Sequence, residues 1–195
     1  VEAVLVGDAG RAFLAVPADV LVALGANDPA RTWSGEAWRL LTAAFLHGNL
    51  VHLLVNVASL WALGADLEET TGRVRLLAAY AVCAVVGSLA SLLEPSAGIR
   101  VGASGAAFGL AGMLLVQAFL ERTQHGGRRH LVRLAGVIAA NLLVAEAINA
   151  AGQGVRVDLA AHLGGLWAGV CCGIAWVGNT GGARRMVALV LLGGT

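Results

Sequence analysis

The chain has 195 residues, of which 58% are hydrophobic and only 13% are charged, whereas an average soluble domain is about 25% charged. This balance predicts a protein of the lipid bilayer and argues against a soluble domain. The net charge is +1, and the basic residues, all arginines, are scattered along the chain, which excludes the basic groove of a nucleic-acid-binding protein. The 3 cysteines are odd in number and lie in apolar stretches, so they do not predict a disulfide framework.

The two ends of the chain lack a recognisable membrane span. Residues 1–30 mix apolar and charged residues, and we treat them as an N-terminal segment of uncertain structure. The first residue is Val1, no signal peptide is visible, and the apolar run Met186–Leu192 is short. We therefore expect a fragment at both ends, with residues 184–195 as the start of a truncated C-terminal segment.

Four stretches without Asp, Glu, Lys or Arg approach the length of about 20 residues that a helix needs to cross a bilayer. They are Leu46–Ala65, Leu76–Leu93, Val101–Leu120 and Leu159–Ala183. A fifth stretch, Leu134–Ala151, contains only Glu146, which we expect to extend towards the membrane interface. The pattern predicts an all-α, polytopic transmembrane helix bundle formed by residues 31–183.

The arginines indicate how the bundle is oriented, because cytoplasmic loops carry an excess of positive charge. Eight of them lie in connections on one side of the predicted bundle: Arg73, Arg75, Arg122, Arg128, Arg129, Arg133, Arg184 and Arg185. This side is predicted to be cytoplasmic, so the spans that begin near Leu46, Val101 and Leu159 all enter from the outside. His125 and His130 lie among these arginines and are expected to be solvated.

Four polar side chains are predicted to lie at the same depth in the membrane, a short way below its outer surface, on these three parallel spans. Ser104 and His162 each lie near the outer end of a span, and His52 and Asn56, four residues apart, share one helix face. His47, five residues before His52, is expected to point well away from it. A serine becomes a nucleophile when a base removes its proton, and a neutral imidazole suits that task. An amide side chain, an imidazole and a backbone N–H can then stabilise the oxyanion.

Small residues predict that the helices carrying these side chains lie close together. Two stripes recur every four residues, one of Gly105 and Gly109 and one of Gly165, Gly169 and Gly173. Such stripes permit close helix packing. Gly102 and Gly105 also flank Ser104 where the chain enters its helix, which leaves backbone N–H groups free to face an anion.

Three segments resemble the rhomboid family of intramembrane serine proteases, of the bacterial type. Trp38–Asn56 is similar to the family's first external loop and second transmembrane helix. Gly102–Gly105 resembles its Gly-x-Ser-Gly nucleophile motif, and Ala161–Leu166 resembles its histidine motif. The resemblance covers about residues 35–177.

The resemblance implies a catalytic dyad of Ser104 and His162. His52 and Asn56 would join the Ser104 backbone N–H in holding the oxyanion. Phe108 matches the position of an aromatic residue that packs against the catalytic histidine. The supporting residues of this prediction are Gly102, Gly105, Phe108, Gly165, Gly169, Trp38, Arg39 and His47. Of these, Trp38 and Arg39 would belong to a loop lying partly in the outer leaflet, and His47 would support that loop.

The resemblance also implies a fold of about six helices, of which the first is not visible in residues 1–30. The expected activity is that of a serine endopeptidase, which cleaves transmembrane segments of client membrane proteins near the outer leaflet without a cofactor or a metal. Richness in Ala, Gly, Val and Arg without Lys is typical of a GC-rich bacterial genome. We therefore expect a multi-pass protein of the bacterial cytoplasmic membrane whose site opens to the external side.

Three other functions are alternatives for such a sequence. A rhomboid-like protein that binds membrane clients without cutting them is the main alternative, although such relatives lack the serine or the histidine. A metal or haem site could use His47, His52 and His162, but their spacing is not that of a ligand set. A transporter would be expected to show internal repeats, and the sequence shows none.

Overall fold

A computed structural model of the chain describes residues 15–94, 98–120, 125–150 and 158–176. The segments 1–14 and 184–195, about which predictions were made above, lie outside these residues, as does the side chain of Glu146. Within the described ranges the secondary structure is helical, apart from one isolated antiparallel bridge between Asn27 and Arg100. The predicted all-α class is confirmed.

Three short helices precede five long ones in this part of the chain. The short helices are α1 (Ala18–Leu24), α2 (Pro29–Trp33) and α3 (Arg39–Thr42), and α3 continues into a 3-10 turn at Ala43–Phe45. The long helices are α4 (Leu50–Thr71), α5 (Arg73–Ser91), α6 (Ser104–Leu120), α7 (His125–Ala150) and α8 (Leu159–Trp176). Each of the five predicted spans falls on one of the long helices. Helix α8 begins at the predicted residue, Leu159, and the starts of the other four helices differ from the predicted ones by 3 to 9 residues; residues 177–183 of the last predicted span lie outside the described part of the chain.

Among the described residues, α4, α5 and α8 are long and apolar enough to cross a membrane. Helix α6 is also apolar but has 17 residues. Twelve of these are buried within the bundle, because α5, α8, α4 and α7 all pack against α6. A helix that is apolar on every side is typical of such a central position.

Helix α4 continues six residues past the predicted end of its span, and Asp66, the first charged residue of this extension, is buried and paired. The Asp66 carboxylate accepts a hydrogen bond of 2.8 Å from Nη2 of Arg129, lies 3.3 Å from Nε2 of His130, and contacts Nη1 of Arg133. The prediction that His130 is solvated is wrong, since only 4% of this residue is exposed. Helix α7 begins at His125, so position 130 lies inside the helix and faces α4 rather than water.

Helices α6 and α8 are in direct backbone contact and run parallel. Gly105 lies opposite Gly165, and Gly109 lies opposite Gly169. A Cβ atom on Gly165 would overlap the carbonyl oxygen of Gly105, and one on Gly169 would overlap that of Gly109. These contacts confirm that the glycine stripes bring the two helices together, and they place the first turns of α6 and α8 at the same end of the bundle.

Helix α4 runs in the same direction as α6. Near its start the His52 ring lies against Gly102, just before α6, and near its end the Thr70 hydroxyl donates to Oε1 of Gln117 over 3.3 Å. The first turns of α4, α6 and α8 therefore meet at one end of the bundle. Asp66 and its partners lie towards the other end.

Candidate active site

Ser104 and His162 meet between the first turns of two parallel helices. Ser104 is the first residue of α6, and His162 is the fourth residue of α8. Oγ of Ser104 and Nε2 of His162 are 2.9 Å apart, which is hydrogen-bonding distance. Both residues are partly buried. A nucleophile within such reach of a base is the geometry that covalent catalysis by serine requires.

The start of α6 is set by a turn that requires glycine. Gly102 has φ of +123°, a conformation that L side chains rarely adopt. Its N–H donates to the carbonyl of Ala43 over 3.0 Å, and the carbonyl of Ala103 then accepts the first helical hydrogen bond, from Ala107. Ser104 is thus the first residue of the helix, where backbone N–H groups have no acceptor within the helix.

His52 lies directly over this turn. A Cβ atom on Gly102 would be 2.7 Å from Nε2 of His52, so the imidazole occupies the space that a side chain would need. The backbone N–H of His52 donates to Oδ1 of Asn49 over 2.8 Å, and this contact caps α4. The cap and the glycine together hold the imidazole near Ser104.

Asn56 lies one turn further along α4 and is only 1% exposed. Its Nδ2 donates to the carbonyl of His52 over 2.8 Å. An amide nitrogen carries two hydrogens, so one donor remains beyond this bond. His52 and Asn56 therefore share a helix face on the side of α4 that borders the cavity around Ser104.

Phe108, one turn after Ser104, stacks on the imidazole of His162. The ring centroids are 4.2 Å apart and the planes differ by 7°. This contact holds the imidazole from the side of α6.

His47 does not point away from His52, and that prediction was wrong. The two ring centroids are 5.1 Å apart with planes at 77°, an edge-to-face contact. The prediction assumed a helix through both residues, but α4 begins at Leu50 and Asn49 is in an extended conformation. Burial lowers the pKa of His47 below its usual value, which favours a neutral ring against His52.

Arg39 is buried in the segment before α4 and bonds to several residues of that segment. It is 3% exposed, its Nη1 donates to the carbonyls of Val22 and Ala26 over 2.7 and 3.0 Å, and its Nη2 lies 2.6 Å from Glu36. The guanidinium also lies 4.6 Å from the centre of the Trp38 ring, and Trp38 is half exposed. Arg39, the first residue of α3, therefore joins this helix to α1.

A cavity of about 480 Å³ surrounds Ser104 and His162. Sequence reasoning missed several of its polar residues. On α7, Asn141 donates to Oγ of Ser59 over 3.0 Å, and Arg100, before the start of α6, pairs with Asp158. The polar side chains of the wall are Asn27, His52, Asn56, Ser88, Ser91, Arg100, Ser104, Asn141, Asp158 and His162. An amide side chain within a predicted span was a sequence signal that could have pointed to Asn141.

The chain is similar in sequence to known proteins. Residues 34–179 match the Rhomboid domain family. The chain is 39% identical to RHOMBOID-like protein 5 of Arabidopsis thaliana over 153 residues, which is 77% of this chain and 47% of that protein. It is 36% identical to Rhomboid protease GluP of Bacillus subtilis (strain 168) over 184 residues, 89% of this chain and 33% of that protein.

A third relative is Rhomboid-like protease 1 of Toxoplasma gondii, at 32% identity over 162 residues, 82% of this chain and 54% of that protein. The chain thus spans about a third to a half of the length of these curated relatives. The Rhomboid match covers most of the chain and includes every predicted site residue. Together with the apolar helices, it identifies an integral membrane protein, and the chain belongs to the rhomboid family.

Proposed function

We propose that this chain is an intramembrane serine endopeptidase in which Ser104 is the nucleophile and His162 its base. The observation that carries the proposal is the 2.9 Å separation of Ser104 Oγ and His162 Nε2, between helices that the glycine contacts hold together. The name of a relative, Rhomboid protease GluP, supports the same reaction class.

In the first half of the reaction, His162 takes the proton of Ser104 as Oγ attacks the carbonyl carbon of the client peptide bond. The tetrahedral intermediate carries a negative oxygen, which the Ser104 backbone N–H, the His52 imidazole and the Asn56 amide stabilise. His162 then gives its proton to the leaving amine. The C–N bond breaks, and an acyl-enzyme remains.

In the second half, a water molecule attacks the acyl-enzyme while His162 again acts as base. The ester bond to Ser104 breaks, the hydroxyl regains a proton, and the new carboxyl end of the client is released. The scheme requires no cofactor or metal. The carboxylate of Asp158, four residues before His162, accepts the N–H of Ala161 and pairs with Arg100, so we propose a dyad rather than a triad.

The proposed clients are transmembrane segments of other membrane proteins, cut near the outer leaflet. A peptide bond within a helix is shielded by the helical hydrogen bonds, so the client segment unwinds before Ser104 attacks it. The arginine distribution supports an external opening of the site, and the chain is proposed to reside in a bacterial cytoplasmic membrane.

The test is reconstitution of the chain in lipid with a generic single-span substrate, with wild type compared to Ser104→Ala and His162→Ala. Each variant is expected to abolish cleavage, and Ser104→Ala to abolish labelling by a fluorophosphonate probe. Cleavage that survives either substitution would refute the dyad. A folded wild type that neither labels nor cleaves would support the alternative of a client-binding protein.

A further inference from the structure

Arg100 and Asp158 form an ion pair beside the proposed dyad. Nε of Arg100 lies 3.1 Å from Oδ2 of Asp158, with the side chains 13% and 17% exposed. Arg100 stands four residues before Ser104, and Asp158 stands four residues before His162. We propose that this pair, together with Ser91, is a positioning clamp that holds Ser104 and His162 at reacting distance, an inference that rests on the function proposed above.

Asp158 connects three elements through one carboxylate. Its Oδ1 accepts the N–H of Ala161 over 2.9 Å, which caps the start of α8. Its Oδ2 receives both the guanidinium of Arg100 and the hydroxyl of Ser91, at the end of α5. The start of α8 is therefore tied both to α5 and to the segment that leads into α6.

Arg100 is itself fixed independently of Asp158. Its backbone N–H and carbonyl exchange hydrogen bonds of 3.0 Å with Asn27, and its Nη2 donates to the carbonyl of Glu94 over 3.1 Å. Asn27 is 1% exposed and its Nδ2 donates to the carbonyl of Ser88, on α5, over 3.1 Å. Arg100 thus provides a fixed point to which Asp158 can be anchored.

The segment between Arg100 and Ser104 needs such an anchor because it is not helical. It contains the turn at Gly102, whose N–H bonds to the carbonyl of Ala43. The glycine contacts between α6 and α8 set how close the helices are, whereas the ion pair sets their register along the helix axis. Because a displacement of about 1 Å can cost about a hundredfold in rate, register bears directly on the Ser104–His162 contact.

The decisive variants each remove one charge of the pair. Asp158→Asn retains an oxygen that caps α8, since Asn is as good an N-cap as Asp. Arg100→Gln removes the other charge, and the double variant completes a cycle. Arg100→Lys keeps the charge as a conservative rescue. The control is Arg73→Gln, which breaks the exposed Arg73–Glu68 pair near the opposite end of α4.

We expect each single variant to lower kcat and the fluorophosphonate labelling rate of Ser104 by about 10- to 100-fold, with KM changed by less than about threefold. We expect the kcat of the double variant to lie within about threefold of the kcat of the less active single variant, because both substitutions remove the interaction between Arg100 and Asp158. Arg100→Lys should recover part of the loss, and Arg73→Gln should match wild type. Single effects that multiply in the double variant would overturn the clamp.

Hydrogen exchange of the purified proteins gives a readout that does not depend on activity. With Asp158→Asn we expect faster exchange in residues 99–106 as well as in residues 159–164, because the clamp joins the two segments. Faster exchange at the start of α8 alone would show that Asp158 acts only within α8 and would overturn the clamp, as would no change in either segment. A wild type that neither labels nor cleaves would overturn the proposed function, and exchange alone would then decide the clamp.

Discussion

The ring of Phe108 lies parallel to the imidazole of His162, with 4.2 Å between the centroids and 7° between the planes. The two residues come from different helices, and Phe108 lies one turn after Ser104 on α6. The imidazole is therefore oriented by the same helix that carries its proposed hydrogen-bond partner. This stacking restricts rotation of the ring away from Ser104 Oγ.

Phe108→Leu should lower kcat without unfolding the protein, because it removes the stacking surface while keeping an apolar side chain. Stacked aromatic pairs are worth about 0.5–1.5 kcal/mol, which corresponds to a fall of about two- to tenfold in the labelling rate of Ser104. Phe108→Tyr keeps the ring and should stay within about twofold of wild type. Equal losses in both variants would mean that stacking does not orient His162.

Asn56→Ala should remove a proposed oxyanion donor and lower kcat by about a hundredfold to a thousandfold, with little change in KM. Asn141→Ala offers a matched comparison, since it also removes a buried amide from the cavity wall but one that bonds Ser59. That variant should lose about 1 kcal/mol of stability and much less of kcat. Steady-state kinetics in lipid and thermal unfolding would separate the two effects, and similar kcat values would contradict the role of Asn56.

Gly102→Ala should impair both stability and labelling, because the new methyl group meets the His52 ring at a positive φ. Gly35→Ala is the matched control: φ there is +115°, but a Cβ atom has nothing within 4 Å among the described residues. Each substitution should cost about 1–2 kcal/mol from backbone strain. Only Gly102→Ala should also lower the labelling rate of the folded protein, by about tenfold or more. The same labelling rate in both variants would show that His52 placement does not matter.

Gly165→Ala should prevent α6 and α8 from packing, since its methyl group would overlap the carbonyl oxygen of Gly105. Because this neighbour is backbone, the helices must separate, at a cost of about 1–3 kcal/mol or more. Gly136→Ala, at an exposed position of α7 with nothing within 4 Å in the described part of the chain, should be neutral or slightly stabilising. Thermal unfolding in detergent compares them, and a Gly165→Ala protein as stable as wild type would contradict the close contact.

Asp66→Ala should destabilise the protein by about 1.5–3 kcal/mol, because it removes the buried carboxylate that pairs with the partly exposed side chains of Arg129 and Arg133. Glu69→Gln, on the exposed face of the same helix, should change stability by no more than about 0.5 kcal/mol. Below its unfolding temperature the Asp66→Ala protein should still label at Ser104, since the two residues lie towards opposite ends of the bundle. Loss of labelling in a fully folded sample would show that the ends are coupled.

The predicted spans show what charge patterning can and cannot determine. All five fall on helices, because about 20 apolar residues form a helix in lipid whatever their neighbours. The predicted span ends at Ala65, before the end of α4, because a charged side chain such as that of Asp66 is energetically unfavourable in lipid. The structure pairs that carboxylate with side chains of α7 more than 60 residues away, and no local pattern contains that information.

For the proposed site, too, the sequence determines some features and leaves others to the tertiary structure. Residue type and helical parity were enough to select Ser104, His162, His52 and Asn56, because chemistry depends on side-chain identity and parallel spans place their ends at equal depth. The edge-to-face contact of His47 with His52 depends on the residue at which α4 begins. A helical wheel does not predict where a helix begins.

By itself, the sequence determined the helical class and the spans and selected the proposed reactive residues, since these follow from hydrophobic length and from side-chain chemistry. Only the tertiary structure decided which distant residues meet: Arg100 with Asp158, Asn141 with Ser59, and Asp66 with the arginines of α7. The physical reason is that pairings between elements depend on helix register and rotation. Those depend on the packing of the whole bundle, in which contacts such as that between Gly105 and Gly165 determine how close two helices lie.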